Sequence, residues 1–296
     1  MSSTATSFRL SLRNNSLFCF LVAITIFAGG GYLYLKSGSF KRAAGQSLRQ
    51  LPSAIIDDLP ATDSAASFNE PLVLCYHQVR DWRGGDSPGA RTYIMPVSVF
   101  REQMKLLYDN GYHTVLPDQQ SDRHVGGNQK SFILTFDDGT ESQYTNALPE
   151  LNRYGFKAVF FIMTVTLGKP GFMSREQVRL LSDNGHLIGC HTWDHHNVKS
   201  YGVSDWITQL QRPTRLLEQI TGKPVRYFAY PFGSWDPAAI YRLKSQGYMA
   251  AFQLAGPADK DNPSFTIRRM LVDGHWPASR FLAELRSFAT RNSLQP

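Results

Sequence analysis

The sequence predicts an α/β protein whose parallel strands close into a barrel. From residue 71 onward, short apolar strand-like runs alternate with helical stretches over short links, the pattern of repeated βαβ units on a parallel sheet. There are about eight such runs, which favours a barrel over an open sheet. Neither a G-x-G-x-x-G turn nor a P-loop follows any of them, so a nucleotide-binding fold has no support.

The elements follow in order. "PLVLCYH" (71–77) reads as a strand. Ser98 is placed to cap a helix whose Phe100, Met104 and Leu107 share a face and which ends at Asn110-Gly111. "HTVL" and "SFILTF" are strands, and Tyr144, Ala147, Leu148 and Leu151 then fall at helical spacing. After strand "KAVFFIM", Ser174 and Gln177 form a capping box that opens a helix stopping at Asn184-Gly185. Strand "HLIGC" leads to a helix pair broken at Pro213 and ending at Gly222. Strand "RYFAYP", a helix over 237–246, strands "MAAFQL" and "IRRML", and a helix over 278–290 complete the chain.

The net charge of +7 is concentrated at the start of the 296 residues. Arg9, Arg13, Lys36, Lys41, Arg42 and Arg49 all precede the first acidic residue, Asp57. The remainder is near neutral and shows no basic stripe for nucleic acid, so the excess reads as membrane-flanking charge. Residues 17–35 are uncharged and largely apolar, long enough to cross a bilayer as a helix. A cleaved signal peptide is the rival reading; the apolar Tyr32–Leu35 continuing past the glycines favours an uncleaved anchor. The expected layout is a basic segment (1–16), a transmembrane helix or signal anchor (17–35), a flexible linker (36–70) and a folded domain (71–296). Cys19, Cys75 and Cys190 make no disulfide framework.

Chemistry in a barrel sits where strands end. "LTFDDG" closes an apolar run with Asp137 and Asp138. "GCHTWDHH" carries His191, His195 and His196 directly after a strand, and His191 and His195 can converge on one metal ion if the segment coils there. "FAYPFGSWD" offers a turn with backbone N–H groups and the aromatic rings of Phe232 and Trp235. One carboxylate and two imidazoles from separate strand ends suit an open zinc site, with a free position for water. The second carboxylate suits a general base for that water. His77 ends the first strand and either lines this site or packs.

"TFDDG" followed by "HTWDH" resembles the polysaccharide deacetylase family (the NodB homology domain, carbohydrate esterase family 4), over roughly residues 70–290. "LVLCYHQV" and "SVFREQMKLLYDNGYHTV" are similar to its poly-N-acetylglucosamine branch. The resemblance implies a distorted (β/α) barrel that removes N-acetyl groups from amino sugars. It implies Asp137 as the base, and Asp138, His191 and His195 as ligands of one divalent ion, expected to be Zn²⁺. His196 is the alternative ligand, because that branch can use a longer spacing. Ala229-Tyr230-Pro231-Phe232 stands where the family has Arg-Pro-Pro-Tyr, so the arginine that orients the base is missing there, and Arg269 takes that role by resemblance to the branch. No late Leu-x-His motif is found, which leaves His275 as the candidate acid.

The expected function is metal-dependent N-deacetylation of poly-N-acetylglucosamine, a chitin-like glycan or peptidoglycan. The Phe232 N–H would support the oxyanion, and Phe232 and Trp235 would stack on sugars or pack the barrel. An amidase on a small or lipid-linked substrate and an inactive glycan-binding barrel are the rivals. The expected partners are a glycan and, through residues 17–35, a membrane, with the folded domain periplasmic or extracellular, or secreted if the anchor is cleaved. More Lys and Arg follow the anchor than precede it, which argues for the opposite orientation.

Overall fold

The computed structural model describes residues 70–119 and 130–293. The expected basic segment, membrane anchor and all of the linker before Glu70 lie outside the described residues. Among the described residues, no helix is long and apolar enough to cross a membrane.

The strands are β1 (Val73–Tyr76), β2 (Gln78–Val79), β3 (Ile94–Met95), β4 (His113–Thr114), β5 (Ser131–Phe136), β6 (Val159–Ile162), β7 (Leu187–Cys190), β8 (Tyr227–Ala229), β9 (Ala250–Phe252) and β10 (Met270–Leu271). Eight of them form one sheet in the order β10-β1-β5-β6-β7-β8-β9, with β4 beside the start of β5, and every pairing is parallel. The two ends of this sheet meet. Ile267 N–H donates to Ala251 O (3.1 Å) and Gln253 N–H donates to Ile267 O (2.9 Å), after which Met270 pairs with Leu74 of β1. The expected strand 267–271 therefore divides its pairing, its first half on β9 and its second on β1, and closes the ring. β4 is not a stave of that ring. The sequence reading did not anticipate the small parallel ladder of β2 and β3, which sits beside the short helix α1 (Pro88–Arg91).

Side chains alternate across each strand. Val73, Ile133, Val159, Phe161, Tyr227, Ala229, Ala250, Phe252 and Ile267 form one buried cluster, to which the strands and the link after β4 contribute. Leu74, Tyr76, Leu134, Phe136, Phe160, Ile162 and Phe228 belong to a second cluster shared with helices. The first is the barrel interior and the second the layer between barrel and helices. The inward register thus runs Val73-Cys75-His77 on β1, Ile133-Thr135-Asp137 on β5 and Gly189-His191 on β7. Each series ends on a polar side chain just past the strand. Gly189 is required on sterics, because a Cβ there would lie 2.4 Å from Phe161 Cδ1.

Helix α2 (Val97–Asp109) corrects one expectation. Ser98 lies inside the first turn, and Pro96 holds the cap position with no side-chain cap bond, its ring fixing φ at −57°. Helix α3 (Leu148–Arg153) fulfils the helical spacing read after β5, and the Ser174–Gln177 capping box of α4 (Arg175–Asp183) is present. Pro213 does not break a helix pair. A π turn at Ile207–Gln211 runs straight into α5 (Arg212–Thr221), with Pro213 just past the junction and the backbone helical throughout. Glu70, assigned to the end of the linker, is bonded to both the N–H and the guanidinium of Arg268.

His186 is buried just before β7, at the barrel end opposite the loaded strand ends. Its Nδ1 accepts the Ala158 N–H (3.2 Å) and its Nε2 has no partner among the described residues. Burial, aided by the Lys157 charge, pushes its pKa down to about 4. The unfolded chain, with an ordinary imidazole pKa of about 6.5, then holds the proton more readily than the native state. Stability from this group is full above that value and drains away as pH falls towards about 4, by about 3 kcal/mol at most. Urea unfolding midpoints at pH 7.5 and 4.5 should show a larger acid loss for the wild type than for His186→Gln. Equal losses would contradict this account.

Candidate metal centre

Asp137 and Asp138 are neighbours in sequence with different surroundings. Asp137 continues the inward register of β5 and is buried, its N–H bonded to Tyr76 O (3.0 Å). Asp138 and Gly139 then both adopt left-handed backbone, φ 74° and 71°. Aspartate tolerates that region better than most residues, and Gly139 leaves room for Ile162, whose Cδ1 would lie 3.1 Å from an added Cβ. This turn brings Asp138 to the rim with its carboxylate half-exposed.

Arg269 enters from the closing segment and is almost wholly buried. Its guanidinium grips Asp137 with two bonds, Nη1 to Oδ1 (2.6 Å) and Nη2 to Oδ2 (2.7 Å). Nε donates to Gln253 O (3.0 Å) and Nη1 also reaches Thr135 Oγ1 (3.2 Å), so the fork cannot swing. Burial alone would raise the Asp137 pKa. The charges of Arg269 and His191 and the Arg269 hydrogen bonds outweigh it and hold the carboxyl well below the usual range. Asp137 is therefore ionised at neutral pH.

His191 follows β7 on the inward side. Its Nδ1 lies 2.8 Å from Ala229 O, an acceptor only, so Nδ1 carries the proton and Nε2 presents a lone pair. That Nε2 is buried and has no hydrogen-bond partner among the described residues. It faces Asp138 Oδ1 at 3.6 Å and Asp137 Oδ2 at 3.9 Å. Beyond it the chain coils. Thr192 and His195 both have φ 67°, and His195 N–H donates to Thr192 Oγ1 (2.9 Å). The coil returns His195 Nε2 to within 3.9 Å of Asp138 Oδ1. Burial and the neighbouring His191 lower the His195 pKa, which favours the neutral, ligating imidazole.

The ligand atoms of Asp138, His191 and His195 all lie within 4.8 Å of one another. One carboxylate oxygen and two imidazole nitrogens, one of them a buried lone pair with nothing to accept, fit a divalent ion of borderline softness. The Ala229 carbonyl is the outer partner that fixes the tautomer of such a ligand. Around this group stand His77, with Nε2 4.0 Å from Asp137 Oδ2, and the thiol of Cys75, 3.6 Å from the same oxygen.

Comparison with known proteins points to one family. The polysaccharide deacetylase family profile matches residues 124–251. The poly-β-1,6-N-acetyl-D-glucosamine N-deacetylase of Staphylococcus aureus (strain MRSA252) is 25% identical, over 73% of this chain and 83% of that protein. The solved structure of IcaB from Ammonifex degensii superposes with a TM-score of 0.60 at 27% identity, covering 76% of this chain and 97% of that one. Residues 124–251 carry a polysaccharide deacetylase domain. The chitooligosaccharide deacetylase of Azorhizobium caulinodans is a further relative, 29% identical over 52% of this deacetylase and 73% of that protein.

The deacetylase brings together Asp137, Asp138, His191, His195 and Arg269. His196 stands apart, exposed and bonded to Asp194 (2.7 Å). His275 is also away from the group. It is exposed, its Nδ1 bonds Asp273 (2.7 Å), and its ring lies against Trp82. Phe232 is exposed at the rim, with φ 60° and its ring 4.5 Å from that of His195. Trp235 is packed against the core, its indole N–H on Gln253 Oε1 (3.1 Å), an arrangement of barrel packing.

Two residues were undervalued in the sequence. His77 is adjacent to the Asp137 carboxylate, and its signal was available, since it ends an inward-facing register beside the strand that carries the aspartates. Gln143 is buried in a π turn over Gln143–Ala147, and its amide donates to both His77 O and Asp137 O, tying two strand ends together. No motif announces a glutamine in that role.

Proposed function

We propose that this deacetylase removes N-acetyl groups from a polymer of N-acetylglucosamine, using one divalent ion, Zn²⁺ by its donor set, held by Asp138, His191 and His195. The observation that carries this reading is the buried, unpartnered His191 Nε2, turned towards Asp138 and His195 beside an arginine-paired carboxylate. Bound there, such an ion supplies a Lewis acid and lowers the pKa of a water. Asp137, ionised at neutral pH, would accept a proton from water at this end of the barrel. The Arg269 fork keeps both carboxylate oxygens aligned while this happens. Deacetylation also needs a proton on the departing amine nitrogen. Burial lowers the His77 pKa and keeps its resting imidazole neutral, so His77, with Nε2 4.0 Å from Asp137 Oδ2, is placed to relay the proton that Asp137 takes up, whereas His275 is bonded elsewhere. The Phe232 N–H makes no bond to a described residue and is offered at the rim, where it can support the carbonyl oxygen as charge develops.

The substrate class rests on the relatives. Their names specify poly-β-1,6-N-acetyl-D-glucosamine and chitooligosaccharide, and a Bacillus cereus relative acts on peptidoglycan N-acetylglucosamine. Such polymers lie at cell surfaces. We therefore place the domain outside the cytoplasm, tethered through residues 17–35. Protease added to intact cells should cut it; protection until the membrane is broken would reverse that placement.

The function is tested by acetate release from β-1,4- and β-1,6-linked N-acetylglucosamine oligomers and from peptidoglycan. Release should stop with a chelator and return with Zn²⁺. His195→Ala should lose bound metal while His196→Ala keeps it. The opposite result would move the ligand assignment to His196, and no acetate from any glycan would end the deacetylase reading.

A further inference from the structure

Two exposed aromatic rings touch the imidazoles of the centre from different sides. Phe232 directly follows β8 and is 64% exposed. Tyr93 is 44% exposed and stands nearly perpendicular to His77, the ring centroids 4.9 Å apart. Its backbone is fixed by the small ladder, with Gln78 N–H donating to Tyr93 O (3.0 Å) and Tyr93 N–H to Ala90 O (3.0 Å). Its hydroxyl bonds no described residue. Tyr93 thus lies beside the extension of β1, while Phe232 lies at the end of β8. Between them in the sheet come β5, β6 and β7, and β5 and β7 lead into the carboxylates and the two ligand-type imidazoles.

A sugar ring presents C–H groups on its faces and hydroxyls at its edge, which suits an aromatic ring with a free hydroxyl. One flanking ring would be enough to seat a single sugar. Rings on both sides of the reacting centre suit a chain that passes through it. We propose that Tyr93 forms a sugar-binding subsite on the β1 side, and that the glycan runs from Phe232 across the centre to Tyr93. Deacetylation then falls on internal residues of a polymer rather than on a terminal sugar. The inference rests on the deacetylase reading and adds to it a residue and a direction.

The experiment compares dimers and pentamers of N-acetylglucosamine, in whichever linkage the wild type deacetylates. Wild type should show a lower KM for the pentamer. Tyr93→Ala should raise KM for the pentamer on the order of tenfold, the size of one lost aromatic stack, with kcat unchanged and the dimer little affected. Tyr93→Phe should keep most of the pentamer preference. If Tyr93 only steadied His77, Tyr93→Ala would lower kcat on both lengths alike, and the subsite would be refuted. An unchanged pentamer KM in Tyr93→Ala would refute it equally. Both results require an active wild type, so they are distinct from a failure of the deacetylase reading, in which the wild type releases no acetate at all.

Discussion

Asp137→Asn should keep its metal and lose turnover by about 10²–10⁴-fold, the usual contribution of a general base. The amide preserves shape but cannot take a proton at neutral pH. It also places an NH₂ against one arm of the Arg269 fork, replacing one charge-assisted bond with a donor facing a donor. The Asp138, His191 and His195 donors are untouched, so metal content measured by atomic emission should stay at wild-type level. Acetate release at saturating substrate decides the matter. A rate within a fewfold of wild type would remove Asp137 from the role of base.

Arg269→Leu should be the most damaging single change to the fold. It leaves the Asp137 carboxylate buried with its strongest partner gone, and breaking a buried pair in this way costs about 3–5 kcal/mol. The leucine cannot replace the bonds to Gln253 O and Thr135 Oγ1 either. Activity should fall with stability, since Asp137 loses the group that aligns it. The double variant Asp137→Asn/Arg269→Leu distinguishes the cause. With no buried charge to strand, it should be more stable than Arg269→Leu alone in urea unfolding. If it is less stable by the sum of the two single losses, the two residues act independently and the ion pair is not what holds this end of the barrel.

The sequence reveals most of the barrel because its strands are short apolar runs between strong stop signals. "SFILTF" matches β5 to the residue, and the Ser174–Gln177 box opens α4 as read. The aspartate pair and the first two histidines were legible as polar residues at the ends of apolar runs. The rest depends on distance along the chain. Arg269 meets Asp137 across 132 positions, and only its resemblance to one family branch pointed to it. His77 stayed open between lining the site and packing, because its neighbour in space, Asp137, lies on the strand that pairs with β1, and strand order is not written locally. Ser98 looked like a cap because serine usually is one, but the proline two places earlier had already set the helix entry.

The segment that closes the barrel also carries the arginine that holds Asp137, and this couples assembly to synthesis. Emerging from the ribosome, the chain presents both aspartates and the histidine cluster well before Arg269. Until residues 267–271 arrive, β1 and β9 lack their shared neighbour, and a carboxylate destined for the interior has no countercharge. Glu70 and Arg268, 198 positions apart, join the two ends of the domain at the same moment. Contacts of such long range slow folding, because loop entropy is lost before they form. The last strand thus acts as a completeness check, and a chain cut short before it would carry every metal-binding residue proposed here without a settled barrel to hold them.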